Sequence, residues 1–369
     1  MSSTTMKKAR TADPVKPSQM KLLVGFLLAL GLGIVVVALF QRKPPKLDPG
    51  PLPLETGTAA SAREILRVGK PLPKSERFSG RVAYAHLLAI CELGSRMSGS
   101  PGMKAQQEVL TKHFTQLGAQ VSLQEFNAGR NPATGQEQPM QNLIVEFHPE
   151  ATERVLLCAH YDTRPLPDRD PDPWQRRNGV FLGANDGASG VALLMELGHR
   201  LPKDPQLGID FVFFDGEEYI YDERIDEYFY GSTYFAQQYR SNPPAHRYKY
   251  GVLVDMVADA RLGIPMEWHS SNWPDTRPLV QEIWGVAKQL RVREFIHKVN
   301  PDPVLDDHIP LNKIARIPTI DIIDFAYPNP RNGYWHTTAD RPENCSADSL
   351  YKVGWVLQEW LHAKLSENK

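Results

Sequence analysis

The sequence is poor in cysteine and almost neutral in charge, and each shortage excludes a class of protein. Among 369 residues there are three cysteines, Cys91, Cys158 and Cys345, too few and too scattered for a disulfide framework or a thiolate zinc site. We expect Cys158 to be a small buried residue inside a strand. A formal net charge of −1 leaves no basic surface for nucleic acid and no acidic tail for a basic partner. No internal repeat is visible.

One long apolar run stands near the N-terminus. Residues 22–40 read LLVGFLLALGLGIVVVALF, about the length that crosses a bilayer as a helix. The run continues directly into Gln41, Arg42 and Lys43 without the small-residue cleavage site of a signal peptide. Five basic residues precede it and three follow it closely, which favours a cytoplasmic N-terminus. The sequence therefore predicts a single-pass signal anchor over 21–41 and an extracytoplasmic domain, in a periplasm or a secretory lumen.

The segments on either side of this run differ in composition. Residues 1–20 are polar and basic, and we predict a disordered N-terminus there. Residues 42–75 are rich in proline and short of large apolar side chains, which is typical of a semi-extended stalk. We therefore place the catalytic domain at 76–369, with the stalk holding it away from the membrane.

Strand and helix patterns alternate through residues 76–369, which predicts an α/β fold with a largely parallel sheet covered by helices on both faces. Short apolar runs predict strands at Val121–Phe126, Asn142–Phe147, Val155–Ala159, Ile209–Phe214, Gly251–Val254 and Pro318–Ile323. Apolar residues at helical spacing predict helices at 81–93, 102–117, Gly187–Leu201, Asp275–Leu290 and Ser346–Leu365.

Five potential metal ligands each follow the end of an apolar run. They are His160, Asp186, Glu218, Asp255 and His336. Open α/β sheets gather functional groups at the carboxyl ends of their strands, and zinc prefers histidine nitrogens and carboxylate oxygens. Taken singly, a histidine after a strand is more often structural, and Asp186 would fit equally well as a helix N-cap. Taken together, the five residues predict a metal-dependent enzyme.

Further polar residues stand beside these ligands. Asp162 follows His160 at i+2 and could orient its imidazole as a supporting carboxylate. Glu217 precedes Glu218, so that one carboxylate of the pair could bind metal while the other acts as a general base. Asp306 begins another acidic pair, and so many carboxylates near buried strands require partners or a metal.

The motifs in this order resemble the zinc aminopeptidase superfamily, which also contains the glutaminyl-peptide cyclotransferases, or glutaminyl cyclases. The resemblance extends from about Ser95 to the C-terminus. It rests on GSRMSGSPG, AHYD, GANDGASG, FFDGEE, YGSTYFA, DMV, DDHIP and WHT. It implies a single α/β domain with a central mixed, mostly parallel twisted sheet flanked by helices.

Two branches of the superfamily assign the ligands differently. Resemblance to the aminopeptidases implies two zinc ions that share Asp186, one also bound by His160 and Asp255 and the other by Glu218 and His336. Resemblance to the cyclases implies one zinc ion, held by Asp186, Glu218 and His336.

The cyclase branch also implies roles for residues around the metal. Glu217 would be the acid/base, Asp255 and Asp306 would form a carboxylate network with it, and Trp335 would supply an apolar pocket wall. Asp306 replaces the serine typical of peptidases, and Trp335 replaces their usual tyrosine or phenylalanine. In the other direction, Asn185 in GANDGASG is closer to the peptidases, and the loop PNPRNGYW carries extra residues near the pocket.

We favour the cyclase branch, which predicts zinc-dependent cyclisation of the N-terminal glutamine of peptides or proteins to pyroglutamate with release of ammonia. A two-zinc aminopeptidase that releases N-terminal residues is the first alternative. The second alternative is a catalytically silent, receptor-like ectodomain, which would be expected to lose metal ligands, whereas all five positions are retained.

Overall fold

The computed structural model describes residues 72–131, 135–202, 207–224 and 226–366. The predicted N-terminal segment, the predicted anchor and almost all of the predicted stalk lie outside these residues. Within them, no helix combines the length and apolar character needed to cross a bilayer.

A six-stranded mixed sheet forms the centre of the domain, in the order β1-β2-β4-β3-β5-β8. The pairs β1–β2 and β2–β4 are antiparallel, and the pairs β4–β3, β3–β5 and β5–β8 are parallel. A separate parallel pair joins β6 and β7. The strands are β1 Gln120–Arg130, β2 Glu137–Phe147, β3 Glu153–His160, β4 Gly208–Phe214, β5 Arg247–Asp255, β6 Ile264–Met266, β7 Phe295–Val299 and β8 Thr319–Ile323. The six predicted strands and the mixed, mostly parallel sheet are confirmed.

The central strands are buried on both faces, which explains why their sequences are nearly continuous apolar runs. In β3, Leu157 packs into the core on one face of the sheet, while Leu156 and Cys158 pack into the core on the other. Successive side chains of a strand point to opposite faces, so both sets must be apolar. Cys158 is fully buried, as predicted, and its thiol is free.

Helices cover both faces of this sheet. The helices are α1 Gly80–Glu92, α2 Pro101–Gln116, α3 Gln175–Asn178, α4 Ala188–Gly198, α5 Tyr230–Ser241, α6 Trp268–Asn272, α7 Arg277–Leu290, α8 His308–Pro310 and α9 Ala347–Ser366, with a π-helical turn at Leu311–Ala315 and a 3₁₀ turn at Pro342–Asn344. Helices α1, α2, α4, α7 and α9 pack on one face, and α5 with the π-helical turn packs on the other.

Among the helices that cover the sheet, two differ from the sequence prediction, and the short helices α3, α6 and α8 were not predicted. Helix α4 ends at Gly198 rather than at Leu201, and glycine has low helix propensity. A Cβ atom at Gly198 would lie 3.2 Å from Phe114, so the glycine allows a close approach between α4 and α2. Helix α5 was not predicted; of its buried residues Gly231, Ser232, Phe235 and Ala236, only Phe235 has a large apolar side chain.

The parallel strands bring the predicted site residues to one edge of the sheet. His160 is the last residue of β3, and Asp255 is the last residue of β5. Glu217 and Glu218 follow the end of β4, and Asp186 lies just before α4. Strand direction in the sheet thus brings together residues that are far apart in the sequence.

Candidate active site

Two overlapping groups of potential ligands lie at the carboxyl ends of the strands. In the first, His160 Nε2 lies 3.1 Å from Asp255 Oδ1 and 3.2 Å from Asp186 Oδ1. In the second, His336 Nε2 lies 3.1 Å from Glu218 Oε1 and 3.5 Å from Asp186 Oδ2. Asp186 belongs to both groups and offers one carboxylate oxygen to each. All five predicted ligands are therefore brought together.

The spacing of these atoms suits a metal ion. Four ligands at 2.0–2.1 Å from zinc, at tetrahedral angles, stand about 3.3 Å from one another. Within each group the ligand atoms all lie within 4.8 Å of one another. Asp186 Oδ2 and His336 Nε2 are buried without a hydrogen-bond partner, although buried polar atoms normally have one. A cation between them would satisfy both atoms.

Asp186 is held in place by its backbone. The carboxylate of Asp340 accepts hydrogen bonds from the amides of Asn185, at 2.8 Å, and Asp186, at 3.1 Å. The N-cap of α4 is Gly187, at φ 99°, and a Cβ atom there would lie 3.2 Å from the imidazole of His160. Asp186 is therefore not the N-cap of this helix, and its side chain faces the two histidines instead.

Asp162 lies beside His160 and also contacts the turn after β4. Its Oδ1 is 3.7 Å from His160 Nδ1, within ion-pair distance. The carboxylate accepts hydrogen bonds from the amides of Glu217, at 3.1 Å, and Glu218, at 3.0 Å. Asp162 thus fixes the turn after β4 and, through it, the positions of both glutamates.

Arg164 contributes to the site and was missed from the sequence. Its guanidinium is fully buried, 3.3 Å from both oxygens of Glu218, and it pairs with Asp168 at 2.9 Å. Burial alone would raise the pKa of Glu218, but His336 and Arg164 lower it below the usual value. Glu218 is therefore held ionised, as a metal ligand must be. The only signal in the sequence was the position of Arg164 four residues after His160.

A cavity of about 710 Å³ opens beside the ligands. Glu217, Asp255 and Asp306 line it together with Trp335 and three further ligand candidates, Asp186, Glu218 and His336. Burial, reinforced by the charge of Glu218, raises the pKa of Glu217 well above its usual value. Burial and the neighbouring Asp255 and Asp307 likewise raise the pKa of Asp306. Burial and the neighbouring negative charges thus both favour the protonated forms of Glu217 and Asp306.

Trp335 forms one wall of this cavity. Its ring centroid lies 4.9 Å from that of Phe325 and 3.8 Å from that of His336, and the guanidinium of Arg169 lies 4.1 Å from it on its face. Ile323, Val304 and further apolar residues continue the wall. Trp335, which the sequence places at the pocket wall, therefore lines this cavity.

The predicted acidic pair Asp306–Asp307 is split between two environments. Asp306 faces the cavity, whereas Asp307 is fully buried and accepts a hydrogen bond from Ser232 Oγ of α5.

Two residues at the site have positive φ angles. The backbone of His336 has φ 55° and that of Met256, directly after Asp255, has φ 50°. Such conformations are strained for residues other than glycine and concentrate at functional sites.

Comparison with known proteins agrees with this geometry. Residues 142–361 match the sequence profile of Peptidase family M28, and the chain belongs to that family. Its fold is similar to the crystal structure of Fimbriiglobus ruber glutaminyl cyclase, with 39% identity, a TM-score of 0.72, and coverage of 80% of this chain and 99% of that one. The resemblance to the glutaminyl cyclase branch of the zinc aminopeptidase superfamily is confirmed.

Two further relatives show the range of proteins that are similar. The glutaminyl-peptide cyclotransferase of Bos taurus is 25% identical over 302 residues, which is 72% of this chain and 79% of the relative. A structure described as a Zn-dependent exopeptidase from Parabacteroides distasonis is 32% identical, with a TM-score of 0.70 and coverage of 77% of this chain and 98% of that one.

Proposed function

We propose that this protein is a zinc-dependent glutaminyl-peptide cyclotransferase, an acyltransferase that cyclises the N-terminal glutamine of peptides or proteins and releases ammonia. The observation that carries the proposal is the meeting of Glu217, Asp306 and Trp335 in one cavity beside the ligand group of Asp186, Glu218 and His336. Similarity to solved glutaminyl cyclases supports it.

One zinc ion would be held by Asp186, Glu218 and His336, whose ligand atoms fit a metal and whose charges favour a cation. When bound, zinc supplies Lewis-acid polarisation of the γ-carbonyl of the substrate glutamine. Burial alone would raise the pKa of Asp186, but the imidazoles of His160 and His336 lower it. Asp186 and Glu218 are therefore anionic, and their two negative charges match the charge of a divalent ion.

Glu217 would carry the proton through the reaction. As a carboxylate it accepts a proton from the neutral α-amine of the substrate as the nitrogen lone pair attacks the γ-carbonyl carbon. The new C–N bond closes the five-membered ring, and the bond to the amide nitrogen breaks. Glu217 then returns the proton to that nitrogen, which leaves as ammonia. Its raised pKa suits a group that must both accept and donate.

Asp255 and Asp306 would support this transfer. Three neighbouring carboxyl groups cannot all ionise at low cost, so a proton held by Asp306 or Glu217 relieves their repulsion. Trp335 and Phe325 would pack against the substrate and keep water from competing with the amine as the nucleophile. The cavity is large enough for a substrate residue with the beginning of its peptide.

A two-metal aminopeptidase is the second candidate. It is favoured by the group of His160, Asp186 and Asp255, which offers a second set of metal ligands. In that reaction Glu217 would take a proton from water rather than from the α-amine. Because all five ligand positions converge, a catalytically silent ectodomain is the weakest candidate.

For the segment outside the described residues, the proposal remains that of the sequence. Residues 21–41 would anchor the protein as a single-pass membrane protein, with residues 1–20 in the cytoplasm. Residues 42–75 would be the stalk, and the catalytic domain would act on peptide or protein N-termini outside the cytoplasm. A protease added to sealed vesicles whose extracytoplasmic face is turned outward should digest the catalytic domain. Full protection of the domain in these vesicles would refute this orientation.

The decisive experiment is incubation of the full-length enzyme, in detergent and with zinc, with a peptide that begins with glutamine, followed by mass spectrometry. Loss of one ammonia from the intact peptide, faster than with the Glu217→Gln variant, would support the cyclase. Release of the first amino acid would support the aminopeptidase. A matched peptide beginning with leucine separates the two activities, because it can be hydrolysed but cannot cyclise.

A further inference from the structure

Three histidines meet far from the site described above. His86 lies in α1, His113 lies in the last turn of α2, and His199 follows the end of α4. The ring of His113 is 5.1 Å from that of His86 and 5.1 Å from that of His199, and it is edge-on to both. Three separate helices thus converge on one cluster of imidazoles.

The nitrogen atoms of this cluster are arranged for a shared ligand. One nitrogen from each ring lies within 4.8 Å of the others. His113 Nε2 lies 3.0 Å from the carbonyl oxygen of Met195, to which it donates, and this leaves the Nδ1 lone pair free. His86 Nε2 is buried without a hydrogen-bond partner. His199 is exposed, so an ion and its water can enter from solvent.

The position of the cluster also favours a cation. The C-terminal end of a helix carries a partial negative charge, and His199 is the C-cap of α4. The carboxylate of Glu196, in the last turn of the same helix, accepts from Arg200 at 2.7 Å and from the amide of Ser79 at 3.0 Å. Asp186 lies at the other end of α4, which is about 16 Å long at 1.5 Å per residue. The cluster is therefore separate from the catalytic ligands.

We propose that His86, His113 and His199 form a second metal site, which binds Zn²⁺ through three imidazoles and leaves one position to water. Imidazole ligands suit Zn²⁺, Cu²⁺ and Ni²⁺, and three histidines with an open position form a known type of zinc site. The ion links α1 and α2 to the end of α4. Its role is structural, because the cavity that contains Glu217 lies beyond the opposite end of α4.

Edge-to-face packing of aromatic rings is the simpler explanation of the same contacts. The two explanations differ in one measurable respect, since packed rings alone bind no metal. A variant that removes one ring must therefore lose a metal ion if the proposal holds.

The test compares the full-length protein with His199→Ala and with His297→Ala, a matched control at an exposed histidine of β7. After dialysis against buffered zinc, the metal content of each is measured by mass spectrometry. We expect the His199→Ala variant to hold one zinc equivalent fewer than both the wild type and the His297→Ala control, with its catalytic activity retained. Equal zinc content in all three proteins would overturn the proposal.

A second measurement separates this site from the catalytic ligands. In an Asp186→Asn background, zinc should still raise the melting temperature by a few degrees, because an ion that binds only the folded state stabilises it. The rise should disappear when His199→Ala or His86→Gln is added. A rise that survives both additions would assign the ion elsewhere. Retained catalytic activity of the single variants His199→Ala and His86→Gln, made without Asp186→Asn, would show that they fold.

Discussion

Buried charged side chains are paired at the amino ends of the parallel strands, whereas carboxylates are in excess at the carboxyl ends. At the amino ends of the parallel strands, Arg154 of β3 lies 2.9 Å from both carboxylate oxygens of Asp210 of β4, and the hydroxyl of Tyr248 of β5 donates to Asp210 at 2.6 Å. Arg154 also donates to the carbonyl oxygen of Phe147 at 3.0 Å. Arg154 and Asp210 therefore each have a partner of opposite charge.

At the carboxyl ends of the same strands, the negative and positive charges are not balanced. β3 ends in His160 and β5 ends in Asp255, and the loops add Asp186, Glu217 and Glu218. Carboxylates outnumber cations there, and Asp186 Oδ2 has no partner. A buried carboxylate oxygen without a hydrogen-bond partner is costly, and a bound cation would satisfy this one. The comparison teaches that the amino ends stabilise the fold, whereas the carboxyl ends are held ready for a metal and a substrate.

The largest effect should follow from Glu217→Gln at the carboxyl ends. The amide cannot accept the proton of the α-amine, so kcat should fall about 10²–10⁴-fold. Zinc content and melting temperature should stay at the wild-type values, because Glu217 is not one of the three proposed ligands. Steady-state kinetics with metal analysis tests this, and an active variant would remove Glu217 from the mechanism.

At the amino ends, Arg154→Met should reduce stability instead. It leaves Asp210 buried without its counter-ion, which typically costs about 3–5 kcal/mol in the free energy of unfolding. Chemical denaturation measures the loss. The control is Arg247→Met, which breaks only the exposed pair with Glu153 and should have a much smaller effect. Equal losses in the two variants would mean that the buried pair has no special weight.

A smaller effect is expected for Arg164→Met, between the two extremes. Glu218 would lose the guanidinium that holds it ionised and oriented, and loss of such a supporting partner typically weakens metal binding about 10–100-fold. Competition with a zinc chelator measures the change. Arg224→Met, at an exposed pair with Asp222, is the matched control. Unchanged zinc affinity would show that Glu218 needs no support from Arg164.

The smallest effect should come from His160→Asn. If one zinc ion is held by Asp186, Glu218 and His336, the variant keeps the zinc content of the wild type and much of its activity. If the protein is a two-metal aminopeptidase, the variant loses one zinc equivalent and most of its activity. Metal analysis and the glutamine-peptide assay, run on the same preparations, distinguish these outcomes.

Much of this arrangement could be predicted from the sequence. The strands β3, β4, β5 and β8 are continuous apolar runs, so their place at the centre of a covered sheet follows from composition. The candidates His160, Glu218 and Asp255 lie at or just after the end of such a run, and parallel strands end at the same edge, whereas Asp186 and His336 lie in loops. Helix α5 was missed, and Phe235 is the one large apolar side chain among its four buried residues.

Other features depend on contacts between residues distant in the chain. Asp162 lies two residues after His160 in the sequence, and its carboxylate accepts hydrogen bonds from the backbone amides of Glu217 and Glu218. Asp340 holds the amide of Asp186 across more than 150 residues. Nothing in a local pattern predicts these bonds, because they follow from the path of each loop in space.

By itself, the sequence of this protein determined the element order, the apolar strands and the chemistry of the five ligand candidates, because periodicity and side-chain type are local properties. Only the tertiary structure decided which charges are neutralised and which are left open. The same buried strands carry the paired Arg154 at one end, and beside the other end lies Asp186, whose Oδ2 has no hydrogen-bond partner. Pairing depends on the distances between atoms that folding brings together.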